Sequence, residues 1–405
     1  MPYLVFEWTC MIGALAALLY TLPRLVRDVA DPALIAICTY FTCSFLSFFL
    51  GLDFIWPHIA DLFGYKNTTT ILIHCIIVVL TAAQLIVLMH WSHPPEAART
   101  KSYKIIGVFG PLLISLIALF AFALPDKRRT AETASLLNLD NPRYAAYLYA
   151  YVSVVAIGQI ITMRVSIRYA GIAARAWLRR GMWIVAAGAG FILVYCIMRY
   201  VEIAGVQAGA DMEPWDPLQW LAGDTGSLLE LMGWTIPGWG PSLSAARRSI
   251  GEFRAYYRLY PLWFALYQAN PTIAKEPRPG LAGKLPSRGL NMRLYRRVIE
   301  ILDGQLALRP FVHPDDADAA RERASAAGLD GAAFQAAVEA FQLRAALRAK
   351  ADGRPASAPA DVVPAAPGDD LPSQIRWLTL LADAFARSAS GIDAQTLAST
   401  RGRRG

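Results

Sequence analysis

Long apolar runs, separated by short polar segments, dominate the first 240 residues of the chain. A helix needs roughly 20 apolar residues to cross the hydrocarbon core of a bilayer. Six of the runs meet this length and predict membrane-spanning helices: 3–22, 34–56, 69–91, 105–124, 144–163 and 181–203. A seventh run, 218–240, contains Glu230, Pro237 and several glycines. It predicts a weaker span that is kinked or re-entrant.

The pattern changes after about residue 244, where shorter amphipathic segments replace the long apolar runs. In the segment 291–310, apolar residues recur at helical spacing and charged residues occupy the positions between them. The predicted apolar face holds Leu294, Val298, Ile301 and Leu302, and the predicted solvent face holds Arg293, Arg296, Arg297 and Glu300. Gly304 is expected to cap this helix, and Pro261 is expected to break the helix before it.

These patterns predict an all-α protein with two parts. Residues 1–243 are expected to form a multi-span transmembrane bundle of seven helices, the seventh weak. Residues 244–405 are expected to form a small helical cytosolic domain, in which a Pro/Ala linker covers about 353–370.

Composition and charge support this division. The chain is 55% hydrophobic and only 17% charged, which exceeds what a soluble core requires. Residues 244–312 hold 12 Lys or Arg against 4 Asp or Glu. Such a basic segment is attracted to anionic lipids of the inner leaflet, although an ordinary positive-inside flank explains it equally well. The residues predicted to face lipid are Arg247, Arg248, Arg254 and Arg258.

The basic residues of the short loops predict the orientation, because positively charged loops tend to stay in the cytoplasm. The loops 23–33, 92–104 and 164–180 hold ten Lys or Arg in total. The alternating loops 57–68, 125–143 and 204–217 hold five. We therefore expect a multi-pass cell-membrane protein with its N-terminus outside and its C-terminus in the cytoplasm.

Ionisable residues within spans are candidates for function because they are costly in lipid. With the predicted orientation, several of them lie toward the outer half of the bundle: Glu7, Asp53, His74, Arg199, Glu202 and Glu230. They predict a polar cavity that binds a ligand or ion, with Arg199 and Glu230 as a buried pair. The alternative is that Glu7, Asp53 and Glu202 reach the interface from span ends.

Other chemistry is not indicated by the sequence. His90 and His93 form an H-x-x-H, but a metal site needs a further ligand and none is evident. We expect no metal and no cofactor. Catalytic motifs and nucleic-acid modules are not recognisable either, so neither an enzyme nor a nucleic-acid partner is expected.

Two stretches resemble a known family. "YRLYPLWFALYQANP" (257–271) and "RLYRRVIEILDGQLALRPFV" (293–312) are similar to the signature of actinobacterial seven-span proteins that are labelled putative transporters and carry a cytosolic domain of unknown function. The resemblance implies no catalytic residues. The motif positions are Tyr257, Pro261, Leu262, Trp263, Leu294, Tyr295, Arg296, Arg297, Glu300, Asp303, Gly304, Arg309 and Pro310.

Two functions stay open at this point. The first is a membrane sensor or regulator, in which a ligand of the outer cavity acts through the cytosolic domain on a protein partner. The second is a small-molecule or ion transporter, as the family label implies. The sequence favours the first, because transporters usually contain internal repeats and none is detected among the predicted spans. Membrane lipids and a cytosolic protein are the expected partners.

Overall fold

The computed structural model describes residues 2–123, 125, 138–274, 289–354 and 370–401, and this part of the chain is all-α, as predicted. It forms two compact units, Met1–Pro241 and Ser242–Gly405. The helices are α1 (Pro2–Arg27), α2 (Pro32–Gly51), α3 (Trp56–Phe63), α4 (Thr68–Ser92), α5 (Pro95–Ala123), α6 (Pro142–Ile172), α7 (Ala176–Gln207), α8 (Asp216–Ala269), α9 (Leu290–Leu308), α10 (Pro314–Ala326), α11 (Gly331–Ala351) and α12 (Leu371–Arg401).

Helices α2 and α6 begin with the same local signal, a polar cap followed by proline. The Asp31 side chain accepts a hydrogen bond from the backbone N–H of Ala33 at 2.8 Å. The Asn141 side chain accepts one from the backbone N–H of Arg143 at 3.0 Å. Proline suits the next position because the first helical N–H has no partner within the helix. Both helices therefore begin sharply.

The apolar runs form the helices of the first unit. Within the described residues, six helices are long and apolar enough to cross a membrane, namely α1, α2, α4, α5, α6 and α7. Their outer faces keep large apolar side chains exposed, such as Ile114 and Phe122 of α5 at 70% and 65%. In lipid these side chains have an apolar solvent. The run 218–240 lies in α8 but is not among the six, so its crossing of the membrane stays a prediction.

Glycines explain how the first part of α8 packs into the bundle despite its modest hydrophobicity. A Cβ built on Gly181 would lie 2.7 Å from the carbonyl oxygen of Gly233, and one built on Gly188 would lie 2.8 Å from that of Gly226. The seven-residue spacing places both glycines of each helix on one face. Backbone contact of this kind is a common way for helices to associate in membranes.

Helix α8 continues through Pro261, so the predicted break there is wrong. An interior proline costs a helix about 3 kcal/mol. Leu259 and Leu262, on either side of Pro261, are completely buried. Burial of each leucine contributes roughly 1.5–3 kcal/mol, which offsets the cost of the proline.

The core of the second unit is formed by α8 residues from Tyr256 onward together with α9, α11 and α12. Leu294, Val298 and Ile301 lie in this core, which confirms the predicted apolar face of α9. The predicted cap at Gly304 is wrong, since α9 continues to Leu308 and a 3-10 turn follows at Arg309–Phe311. A Cβ on Gly304 would lie 2.9 Å from Cβ of Leu266. The glycine therefore permits close approach of α9 to α8. Most of the predicted Pro/Ala linker, 355–369, lies outside the described residues.

Candidate functional site

A cavity of about 230 Å³ lies within the first unit. Residues of α1, α2, α3, α4, α6, α7 and α8 line it. Its lining comes from the second half of α2, for example Ser47, and from the first half of α4, for example Thr70. Because α2 and α4 run in opposite directions, these halves lie at the same end of the bundle. The start of α1, with Glu7, is at that end too.

The cavity brings together Glu7, His74, Arg199 and Glu230, which were singled out from the sequence. Asp53 does not line it and is exposed to solvent. Glu202 is buried, with 2% of its surface exposed, and lies beside Arg199 rather than in the cavity wall. The predicted set therefore divides into cavity residues, a buried partner and a surface residue.

Arg199 forms an ion pair with Glu202, three residues later on α7. The predicted pair of Arg199 with Glu230 is wrong. Oε2 of Glu230 instead accepts a hydrogen bond from the Tyr40 hydroxyl at 3.4 Å. Neighbours at i and i+3 on one helix are always within reach of each other, so the Arg199 charge finds its counter-ion locally.

His74 is held among aromatic rings. Its Nδ1 lies 2.7 Å from the Tyr147 hydroxyl, and its ring stacks on Tyr151 with 3.9 Å between centroids. This arrangement fixes the imidazole as part of the cavity wall. Among the described residues, no group of three or more His, Cys, Asp or Glu side chains could hold a metal ion. Nε2 of His93, the second histidine of the H-x-x-H, lies 2.5 Å from Nζ of Lys101.

The sequence reasoning missed Asp224, which lines the cavity from α8 and is 7% exposed. A signal for it existed in the spacing of the α8 residues. The cavity-lining residues Trp220, Gly223, Asp224, Ser227 and Glu230 recur every three or four positions along α8. This spacing places them in one stripe of the helix. The weakness of the run 218–240 as a span thus reflects a polar face turned toward the cavity.

Two deeply buried acceptors in the cavity wall have no hydrogen-bond partner in the described part of the chain. They are Oε1 of Glu230 and Oε1 of Gln159, on residues that are 1% and 2% exposed. Buried polar atoms are nearly always satisfied, so each such atom calls for an explanation. Gln84 of α4 bonds to another helix, since its Nε2 donates to Thr162 Oγ1 of α6 at 3.0 Å. Gln159 differs because it faces the cavity.

The motif of the second unit forms a buried cluster around Arg297. Its guanidinium donates to the Tyr256 backbone oxygen and to the Tyr256 hydroxyl, both at 2.9 Å. It also lies 3.6 Å from the centroid of the Tyr256 ring and 4.8 Å from that of Trp263. Trp263 Nε1 donates to Oε2 of Glu300 at 2.6 Å. The prediction that Arg297 and Glu300 face solvent is therefore wrong.

Burial sets the protonation behaviour of this cluster. Burial lowers the pKa of Arg297 to about 10, while the nearby Tyr256 and Glu300 act in the opposite direction. Burial raises the pKa of Glu300 above its usual range. Arg297 stays charged near neutral pH, and the surrounding rings stabilise that charge through cation–π contacts.

The other residues of the family motif differ in burial. Four of them also belong to this core: Leu262, Trp263, Leu294 and Gly304. Six are exposed and Pro310 is half-buried; the exposed residues are Tyr257, Pro261, Tyr295, Arg296, Asp303 and Arg309.

The basic residues predicted to face lipid differ in their surroundings. Arg247, Arg248 and Arg254 are exposed. Arg258 forms an ion pair with Asp383 of α12, in which Nε lies 3.1 Å from Oδ1. Its charge is therefore balanced within the second unit and is less available to lipid headgroups.

Residues 245–388 match a family of unknown function, DUF6545. The match covers most of the second unit, including the Arg297 cluster, and names no activity. No curated protein and no solved structure matches the chain.

Proposed function

We propose that this protein is an integral membrane sensor or regulator that binds a small molecule in the cavity of its first unit. The observation that carries the proposal is the cavity itself, in which buried polar groups from many helices converge. Pockets that bury a ligand among aromatic rings and a few placed polar groups are typical binding sites. We propose a binding role, without a chemical reaction on the ligand.

Helix α8 supports a link between the cavity and the second unit. It contributes Asp224 and Glu230 to the cavity wall, and Leu259 and Trp263 to the core of the second unit. A ligand shifts a conformational equilibrium only when it binds the alternative states with different affinity. Contacts to Asp224 and Glu230 give a ligand a direct way to favour one arrangement of α8. A cytosolic protein partner would respond to that arrangement.

The proposed orientation places the cavity toward the outer face and the second unit in the cytoplasm. The distribution of basic loop residues supports it, with ten Lys or Arg against five. The cavity lies at the end of the bundle where α1 starts, which is the outer end in this orientation. Arg247, Arg248 and Arg254 would then meet the anionic inner leaflet.

The first experiment asks whether the cavity binds a ligand. Full-length protein in detergent is heated with a panel of small cations, anions, zwitterions and neutral sugars. We expect at least one compound to raise the melting temperature of the wild type, and to lose this effect in Ser227→Phe, which fills the cavity from α8. Equal stabilisation of Ser227→Phe, or no stabilisation of either protein, would contradict ligand binding in the cavity.

The second experiment separates a sensor from a transporter, with the compound that stabilises the wild type. We expect hydrogen exchange of residues 256–266 to change on binding, with no accumulation of radiolabelled compound in proteoliposomes. Accumulation that Ser227→Phe abolishes would establish transport instead and overturn the proposed sensor.

A further inference from the structure

We infer that the ligand of the cavity is a small organic ammonium ion that carries N–H donors. The inference rests on the proposed function, since it assigns a chemical class to the molecule bound there. Three independent features of the cavity wall lead to it: unpaired acceptors, negative charge and aromatic rings.

The unpaired acceptors call for a donor. Oε1 of Glu230 and Oε1 of Gln159 are buried, and within the described residues neither atom has a hydrogen-bond partner, although the Gln159 amide lies close enough to interact with the Glu230 carboxyl group. The other carboxylate oxygen of Glu230 accepts from the Tyr40 hydroxyl, which anchors the side chain in the wall. A buried acceptor without a donor destabilises the protein, and more so when it is charged. A ligand with N–H groups would remove that destabilisation, whereas a ligand with only acceptors would not.

The balance of charge points to a cation. Glu7, Asp224 and Glu230 contribute three carboxylates to the wall. Glu7 and Asp224 line the same cavity, where like charges repel each other more strongly than in water. Of the two basic side chains that line the cavity, Arg199 forms an ion pair with Glu202 and His74 contacts the Tyr147 hydroxyl. A positively charged ligand would reduce the repulsion between the carboxylates, while an anion would increase it.

Aromatic rings complete the site. Tyr40, Tyr151, Tyr195 and Trp220 line the cavity, and the rings of Tyr195 and Trp220 lie 6.2 Å apart. The faces of such rings attract cations, and the attraction is stronger when water is excluded. Carboxylates alone would bind inorganic and organic cations alike. The rings favour an organic cation, because its carbon atoms gain apolar contacts that a hydrated metal ion does not.

The unpaired acceptors also distinguish between classes of ammonium ion. A quaternary ammonium has no N–H group and would leave Oε1 of Glu230 and Oε1 of Gln159 without a donor. A primary ammonium has three N–H groups and can serve both acceptors while its charge lies against the rings. A six-carbon amine is small enough for a cavity of about 230 Å³.

Three probes of nearly equal size and different charge test the inference: cyclohexylammonium, cyclohexanol and cyclohexanecarboxylate. The melting temperature of the full-length protein in detergent is measured with increasing concentrations of each. We expect cyclohexylammonium alone to stabilise the protein in a saturable manner. Equal stabilisation by cyclohexanol, or stronger stabilisation by the carboxylate, would overturn the ammonium assignment and leave ligand binding in the cavity intact.

Substitutions locate the effect. Glu230→Gln keeps the size of the side chain and an acceptor for Tyr40, and should weaken cyclohexylammonium binding at least about tenfold, as expected for loss of one charged hydrogen bond. Asp224→Asn should weaken it as well and serves as a second variant if Glu230→Gln is unstable. Asp53→Asn is the matched control, because Asp53 is exposed and does not line the cavity. Unchanged affinity in both cavity variants, or an equal loss in Asp53→Asn, would contradict the assignment.

Discussion

Gly188 of α7 and Gly226 of α8 bring the backbones of the two helices into contact, so that a Cβ on Gly188 would lie 2.8 Å from the carbonyl oxygen of Gly226. Gly226 lies between Asp224 and Glu230 on the helix that lines the cavity. The contact therefore determines how far these two carboxylates extend toward the other helices. A change in the α7–α8 distance would change the cavity as well as the stability of the bundle.

We expect Gly188→Ala to destabilise the protein, because the new methyl group must push α8 away from α7. Insertion of a methyl group into a tightly packed interface typically costs about 1–3 kcal/mol. Gly190→Ala is the matched control on the same helix, since nothing lies within 4 Å of its Cβ position. Alanine there should be neutral or slightly stabilising. Thermal unfolding in detergent measures both, and equal effects would contradict the proposed contact.

Double-mutant cycles should show an interaction free energy between Arg199 and Glu202, and none between Arg199 and Glu230. Arg199→Gln and Glu202→Gln each leave a buried charge without its counter-ion, so each should lower the free energy of unfolding by several kcal/mol, about 3–5 in other buried pairs. The double variant should lose clearly less than the sum. For Arg199→Gln combined with Glu230→Gln, we expect the losses to add to within about 0.5 kcal/mol. Strong coupling in the second cycle would restore the pair predicted from sequence.

Arg297→Ala should destabilise the second unit strongly, whereas Arg296→Ala should have little effect. Arg297 is 4% exposed and donates two hydrogen bonds to Tyr256. Their loss is expected to cost on the order of 3 kcal/mol, because each involves a charged donor. Arg296 is the neighbouring residue and is exposed. Most surface substitutions change stability by less than about 0.5 kcal/mol. The free energy of unfolding of the two full-length variants can be compared by denaturant titration, with tryptophan fluorescence as the signal.

Glu339 is expected to make stability depend on pH. Burial raises the pKa of Glu339 to about 7, although Gln305 donates to its Oε1 at 2.7 Å. In the unfolded chain the pKa of Glu339 has its ordinary value of about 4.5. Between about pH 4.5 and pH 7 the carboxyl group is therefore protonated in the folded state and ionised in the unfolded chain. The free energy of unfolding should fall as the pH rises through this window.

Glu339→Gln removes this dependence, because glutamine cannot ionise and still accepts from Gln305. The variant should melt a few degrees above the wild type at pH 8 and close to it near pH 4.5. Glu322→Gln on α10 is the control, since Glu322 is exposed. A Glu339→Gln difference that does not vary between these pH values would contradict burial as the cause.

Topology can be tested with a reporter enzyme that is active only outside the cytoplasmic membrane. Fused after residue 210, between α7 and α8, the reporter should be active. Fused after residue 290, at the start of α9, it should be silent. Activity at both positions would mean that the segment 218–240 does not cross the membrane and that the second unit lies outside.

The number and position of the apolar helices could be predicted from the amino-acid sequence alone. A span depends on hydrophobicity summed over about 20 consecutive residues, a local property that needs no knowledge of partners. The apolar face of α9 with Leu294, Val298 and Ile301 was accessible for the same reason, because helical spacing alone places these residues together. The glutamate and arginine residues within the spans could also be identified from the sequence, because an ionisable residue is unusual in an otherwise apolar run.

Which of these residues contact one another could not be predicted in this way, because it depends on how the helices pack. The Tyr40 hydroxyl and Glu230 are 190 positions apart, and Arg297 and Tyr256 are 41 apart. Arg297 has the residue type of a solvent-facing position, but the aromatic rings that enclose it come from α8. Gly304 resembles a helix end, yet it is required by the approach of Leu266. The burial of a charge and the contact of two helix backbones both depend on segments that are far apart in the sequence. A local sequence pattern does not show which distant segments will pack together.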